Sequence, residues 1–168
     1  PRFQSKKMLD VYFESQGEII VYLDSDLLWF RNPDEITDTI NDGARTRSYM
    51  MSNGPNQEVY TTRRDGTKVS RAVADCNSGI TVFRKENYNL EAVSTYVSAF
   101  DYMKGRFTDQ ACFGTVLPYL EILPLDRYFI KGALSETTVM RHYTGPTREK
   151  FFSYGVDHIH KAILTQHV

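Results

Sequence analysis

Apolar positions fall into short blocks separated by turn residues, and the blocks carry two different periods. From Arg2 to Gln16, Phe3, Met8, Leu9, Tyr12 and Phe13 recur at helical spacing, and Gly17 stops the helix just past its end. Ile19-Ile20-Val21-Tyr22-Leu23, entered through Glu18, is a short β-branched run between Gly and Asp. It predicts a strand buried on both faces. A helix running into a buried strand is the second half of a βαβ unit. The pattern therefore predicts an α/β fold, with flanking helices on a mixed, mostly parallel sheet.

Pro33 closes the next segment, and Asp34 and Glu35 suit the start of a short helix. Residues 41 to 75 are polar, with turn signals at Asn53-Gly54-Pro55-Asn56 and Arg64-Asp65-Gly66. They read as an excursion carrying one or two short strands, one of them from Arg47 to Met51. Gly79 to Phe83 is a second buried strand. Asn87 to Met103 predicts a helix with Leu90, Val93, Tyr96, Val97 and Phe100 on one face. Thr108 is placed to cap a further helix from Asp109 to Leu117. Short strands near Glu121 to Leu123 and Thr137 to Arg141, then a helix from about Val156, complete the chain. Without a repeat or a low-complexity linker, residues 1–168 read as one domain.

Composition adds exclusions. A 168-residue chain with 41 % apolar and 24 % charged residues has the make-up of a soluble globular domain. A net charge of -1 gives no broad pull toward nucleic acid or anionic membrane. No run is long and apolar enough to span a bilayer. Cys76 and Cys112 form neither a disulfide framework nor a zinc spacing, and read as buried free thiols. The compartment stays open between cytoplasm and Golgi lumen.

The chemistry concentrates in Val21-Tyr22-Leu23-Asp24-Ser25-Asp26-Leu27-Leu28-Trp29. Two acids between aliphatic residues are costly to desolvate unless a cation pairs them. Asp24 and Asp26 are two apart, so in extended chain they project from one side. At the carboxyl end of a parallel strand they would face the crevice where α/β proteins bind ligands. Two hard oxygen donors suit Mg²⁺ or Mn²⁺, the expected cofactor. The alternative is a pair of exposed acids in a strand-to-loop turn. The apolar flanks, including Leu27-Leu28-Trp29-Phe30, argue against it.

"VYLDSDLLWFRNPDEI" resembles the DxD segment of GT-A nucleotide-sugar glycosyltransferases. Three later segments follow that family's order. "NSGITVF" (Asn77 to Phe83) resembles its N-[AS]-G strand, "TDQACF" (Thr108 to Phe113) its D-Q helix start, and "RHYTGPTREKF" (Arg141 to Phe151) its terminal H-x-x-G-x-x-K element. The resemblance implies a Rossmann-like GT-A domain of the glycogenin-like, retaining branch. It would move a sugar from a nucleotide diphosphate donor to a hydroxyl on a sugar, lipid or protein acceptor. In relatives a nucleotide-binding βα segment of several dozen residues precedes DxD, against 23 residues here. The resemblance thus implies that the N-terminal nucleotide-binding strands are lacking here, as in a partial domain or in a reduced or inactive relative.

It also implies roles. Asp24 and Asp26 hold the metal, Asp24 also reaches the donor ribose, and His142 is the third metal donor. Gly145 lets the backbone approach a phosphate. The family's cation three residues beyond, usually Lys, falls at Arg148, with Lys150 within reach instead. Asn77, Ser78 and Gly79 meet the donor sugar, Asp109 and Gln110 approach the anomeric carbon, and Lys6 or Lys7 contacts the donor. Each has a structural alternative. His142 could be a bonded strand-end histidine, Asp109 a first-turn acid on the helix dipole, and 148–150 a solvated basic turn. Asn77 to Gly79 could be a turn before the strand, and Lys6 and Lys7 a solvated face. His158 and His160 do not share a helix face and read as surface histidines.

Two other functions compete. A haloacid dehalogenase type phosphatase also carries D-x-D after a strand, with Asp24 as nucleophile and Asp26 as acid-base. The chain lacks that family's later G-D-x-x-x-D loop, and Leu27 replaces its usual Thr or Val. A non-catalytic sugar- or partner-binding module is the third reading.

Overall fold

The computed structural model describes residues 3–42, 47–54, 60–70, 76–101 and 108–165. The elements in chain order are α1 (Phe3–Glu14), β1 (Ile19–Leu23), β2 (Leu27–Trp29), α2 (Asp34–Asn41) and β3 (Ser48–Ser52). A hairpin of β4 (Tyr60–Thr62) and β5 (Lys68–Ser70) follows, then β6 (Cys76–Arg84), α3 (Leu90–Ala99) and α4 (Thr108–Val116). The last are β7 (Leu120–Ile122), β8 (Tyr128–Phe129), β9 (Met140–His142), a π-helix (Phe151–Val156) and α5 (Asp157–Thr165).

The α/β class holds, with a mixed main sheet of order β1-β6-β3-β7. The mostly parallel sheet does not. β1, β3 and β7 share one direction, but β6 lies reversed between β1 and β3, so within this sheet β3 and β7 alone pair in parallel among the described residues, as β8 and β9 do in the second sheet. The route from β1 to β3 is the expected same-direction crossover. It leaves a slot one strand wide, which β6 fills on its way back from the hairpin. A second sheet, β2-β9-β8, packs beside the first.

β1 is not buried on both faces. Among the described residues it is an edge strand hydrogen-bonded to β6 alone, and Val21 and Leu23 are exposed while Ile20 is buried. β3, read as part of a polar excursion, is instead a central strand with all five residues buried. The helix expected over 87–103 is shorter. Asn89 caps it, accepting from the Ala92 amide at 3.0 Å, and it ends at Ala99; Met103 lies outside the described residues. Thr108 is the first residue of α4, and its buried hydroxyl has no hydrogen-bond partner, so it is not the expected cap.

Strand alternation sends side chains to two cores. On β3, Met50 joins Met8, Phe83, Tyr88 and Phe113 under the helices. Tyr49 and Met51 join Ile80, Val82, Tyr128 and Met140 between the two sheets. Cys76 and Cys112 are buried free thiols, as expected. Tyr128 donates to Glu35 at 2.6 Å, and Arg127 pairs with the same carboxylate, tying α2 to β8. His158 and His160 are exposed on α5, and the His158 ring meets the edge of Phe30. Among the described residues no helix is long and apolar enough to cross a membrane.

The π-helix packs on the back of β9 through a glycine. A Cβ on Gly155 would collide with Leu28 Cδ1 and lie 2.5 Å from the Tyr143 hydroxyl. Overpacking of this kind costs about 1–3 kcal/mol. Gly155→Ala is therefore expected to lower the unfolding free energy by that amount, read as a lower urea midpoint at unchanged slope; an unchanged midpoint would show that this contact yields freely.

Candidate metal centre

The chain passes from one sheet to the other between the two acids. The Asp24 amide donates to the Gly79 carbonyl at 2.9 Å, extending the β1–β6 ladder by one residue. The Asp26 carbonyl accepts from the Tyr143 amide at 2.8 Å, just before Leu27 pairs with His142. Asp24 thus belongs to the main sheet and Asp26 to the second, with Ser25 as the crossing point. His142 comes from the central strand of the second sheet.

One donor atom each from Asp24, Asp26 and His142 lies within 4.8 Å of the others. His142 Nε2 is 2.9 Å from Asp26 Oδ1 and 3.7 Å from Asp24 Oδ2. The opposite oxygens are held by tethered cations. Lys7 Nζ is 2.9 Å from Asp24 Oδ1, and Arg148 Nη2 is 2.8 Å from Asp26 Oδ2. The Tyr22 hydroxyl also donates to Asp24 Oδ1, at 3.1 Å. Each carboxylate therefore turns one oxygen to a protein cation and the other toward the imidazole.

Gly79 makes room for that imidazole. A Cβ there would sit 2.5 Å from His142 Nδ1 and 2.6 Å from Cε1. Nδ1 itself is buried without a hydrogen-bond partner. Burial outweighs the attraction of Asp26 and Asp24 and lowers the His142 pKa below its ordinary value, so the ring is neutral at pH 7. Burial would raise Asp26. The hydrogen bonds from Arg148 and His142 and the charge of Arg148 outweigh it, holding the carboxyl below the usual range. Burial, then the charge of Asp24, push the Tyr22 hydroxyl up, so it acts only as a donor.

A neutral imidazole nitrogen and two carboxylate oxygens fit Mn²⁺ or Mg²⁺. Asp109 is a third acid of the cluster, 3.7 Å from Lys7. Three carboxylates thus face two cationic side chains, which leaves the cleft a net acceptor of positive charge.

The other expected residues divide. Lys6 belongs to α1, but its side chain lies outside the described residues. Lys7 is no solvated residue. It is 12 % exposed, bonds Ser78 Oγ at 3.0 Å and lies over the Tyr22 ring at 4.3 Å. Asn77, Ser78 and Gly79 sit inside β6 rather than in a turn before it. Ser78 Oγ donates to Asp109 Oδ2 at 2.9 Å, so Asp109 joins the cluster from the first turn of α4. Gln110 Oε1 accepts from the Ser78 amide at 3.3 Å. The Asn77 side chain donates to Asn53 Oδ1 at 2.8 Å. Gly145 takes φ +54°, in the left-handed region, and opens the turn that carries Arg148 to Asp26. Lys150 is exposed, and no hydrogen bond or ion pair joins it to the three donors. Asn53 and Tyr22 are additions, because the first had read only as a turn signal and the second as strand filler.

Compared with known proteins, the chain matches no protein-family model and no curated sequence.

The Asp26 shift sets a pH dependence. A carboxyl held low in the folded state adds stability that is complete above its unfolded value, about pH 4. That stability is lost as pH falls through the lowered folded value. The stability gap between the wild type and Asp26→Asn should accordingly be constant near pH 7 and close below about pH 4. Urea titrations across that range measure it, and a gap that widens on acidification would contradict the assignment.

Proposed function

We propose that the chain carries the metal- and diphosphate-binding part of a glycosyltransferase that moves a sugar from a nucleotide diphosphate donor to an acceptor hydroxyl. The observation that carries this reading is the convergence of single oxygens of Asp24 and Asp26 on His142 Nε2. When bound, a divalent ion supplies Lewis-acid stabilisation of the charge that develops on a leaving diphosphate.

The chain's own residues divide the remaining work. Lys7, half-buried and engaged by Asp24, Ser78 and Asp109, fixes Asp24 and keeps its second oxygen turned inward. Arg148 differs, being 70 % exposed with Asp26 as its one carboxylate partner among the described residues. It is placed to pass from that carboxylate to a phosphate oxygen as the donor arrives. Ser78, Asp109, Gln110 and Asn77 form a bonded polar wall across β6 and α4, suited to orienting sugar hydroxyls. Retention at the anomeric carbon is the stereochemical outcome that accompanies the glycogenin-like resemblance. It needs no carboxylate base, and Asp109 is already engaged by Lys7 and Ser78.

Two measurements test the reading. Mn²⁺ together with a nucleoside diphosphate should raise the melting temperature of the wild type, and a nucleotide-sugar panel should release the free diphosphate. Asp26→Ala should abolish both, and full metal-dependent stabilisation of that variant would remove Asp26 from the site. Binding without any release would favour the non-catalytic module instead. Gly79→Ala should push the His142 ring off its position and weaken Mn²⁺ by about 10- to 100-fold, as loss of a ligand's support does. Calorimetric titration reads that change; wild-type affinity in Gly79→Ala would show that the imidazole is not a ligand.

A further inference from the structure

A groove of about 550 Å³ lies beyond the end of β2, against the 134–138 turn and α5. None of the three metal donors lines it. β2 nevertheless joins the two places, starting beside Asp26 and ending at Trp29 in the groove wall, while no residue of β9 lines the groove. β2 pairs with β9 from Leu27 opposite His142 to Trp29 opposite Met140. Trp29 lies three residues beyond Asp26, about 10 Å along an extended chain.

The groove's walls are held in place. The amides of Phe30 and Arg31 both donate to the Val139 carbonyl, at 2.8 and 3.4 Å. Across the groove the Ser135 amide donates to Thr138 Oγ1 at 2.9 Å, and the Thr138 amide returns to the Ser135 carbonyl at 3.2 Å. A preformed cleft of this volume is of ligand size.

Its chemistry is selective. The half-buried rings of Trp29 and Phe30 line it together with the exposed side chains of Arg31 and Glu136. Neither Arg31 nor Glu136 has an ion-pair or side-chain hydrogen-bond partner among the described residues. Leu134, Ile159, Ala162 and Ile163 add an aliphatic wall, and the opposite charges of the exposed Arg31 and Glu136 favour an uncharged polar ligand over a lipid surface. A phosphate-rich or acidic ligand would gain from Arg31 but meet Glu136, so the pair offers an anion no net attraction. A neutral sugar fits each part. Its C–H face lies on an aromatic ring, and its hydroxyls, donors and acceptors at once, meet a carboxylate and a guanidinium.

We propose that this groove is the acceptor subsite, and that the acceptor is a neutral oligosaccharide lying along the β2–β9 ribbon toward the metal donors. The acceptor role rests on the transfer function proposed above; the binding of sugar does not.

Trp29 is the chain's single tryptophan, so its emission reports on the groove directly. The wild type would be titrated with tetrasaccharides of glucose, galactose, mannose, xylose and N-acetylglucosamine. Parallel titrations would use inorganic phosphate and phosphatidylcholine vesicles. The expected result is a saturable change with at least one tetrasaccharide and none with phosphate or vesicles. The double variant Arg31→Ala, Glu136→Ala should weaken that sugar at least tenfold while leaving Mn²⁺ affinity at the wild-type value. No response to any sugar, a response unaltered in the double variant, or a response to vesicles instead would each overturn the proposal. If Mn²⁺ and nucleotide still bind when the sugars fail, the transfer reading stands and only this inference falls. Sugar binding without Mn²⁺ binding would end the transfer reading and the acceptor role together.

Discussion

Asp24 and Asp26 carry like charge, and each turns an oxygen toward the same imidazole nitrogen. At the 4.8 Å that bounds the donor atoms, two full charges repel by on the order of 3–4 kcal/mol at an effective dielectric of about 20. The surrounding structure answers that repulsion. Lys7 takes one outer oxygen and Arg148 the other, from opposite ends of the chain. The inner oxygens meet a neutral His142, which offers one hydrogen bond and no full charge. The arrangement holds the acids together, and a divalent ion is the partner proposed for them.

The backbone enforces this pairing as strongly as the side chains do. Because Asp24 still bonds to β6 and Asp26 already bonds to the chain leaving β9, the ladders fix the backbone of both acids, and Lys7 and Arg148 hold the carboxylates themselves. Gly79 and Gly155 keep the second sheet close, one under the His142 ring and the other under Tyr143. β2 runs on to the groove at Trp29, so the candidate metal donors and the proposed sugar site are joined by one strand.

Much of this was legible in the sequence where local pattern decides the outcome. The α1 helix, its stop near Gly17, the β1 run and the later helices follow periodicity and turn residues. The acids between aliphatic residues announced a site because burial makes them costly, and His142 and Arg148 came with the motif resemblance. Long-range pairing was not legible. Nothing in Ile19–Leu23 says that one side of the strand stays unpaired, and nothing in Ser48–Ser52 marks it as a sheet centre amid polar neighbours. Lys7 was missed as a firm participant for a related reason. Adjacent lysines on a helix look alike in sequence, and only the packing of α1 against α4 and β1 turns Lys7 inward. Asn53 reads as a turn residue until β6 brings Asn77 beside it.

The central claim is that the two carboxylates and the imidazole form one cation site. Anomalous diffraction at the manganese edge, from crystals soaked in Mn²⁺, tests it most directly. The account predicts a strong peak bonded to Asp24, Asp26 and His142, with Lys7 still on the far oxygen of Asp24. Crystals that take up manganese elsewhere, with this cleft still closed by its own lysine, arginine and histidine, would contradict it.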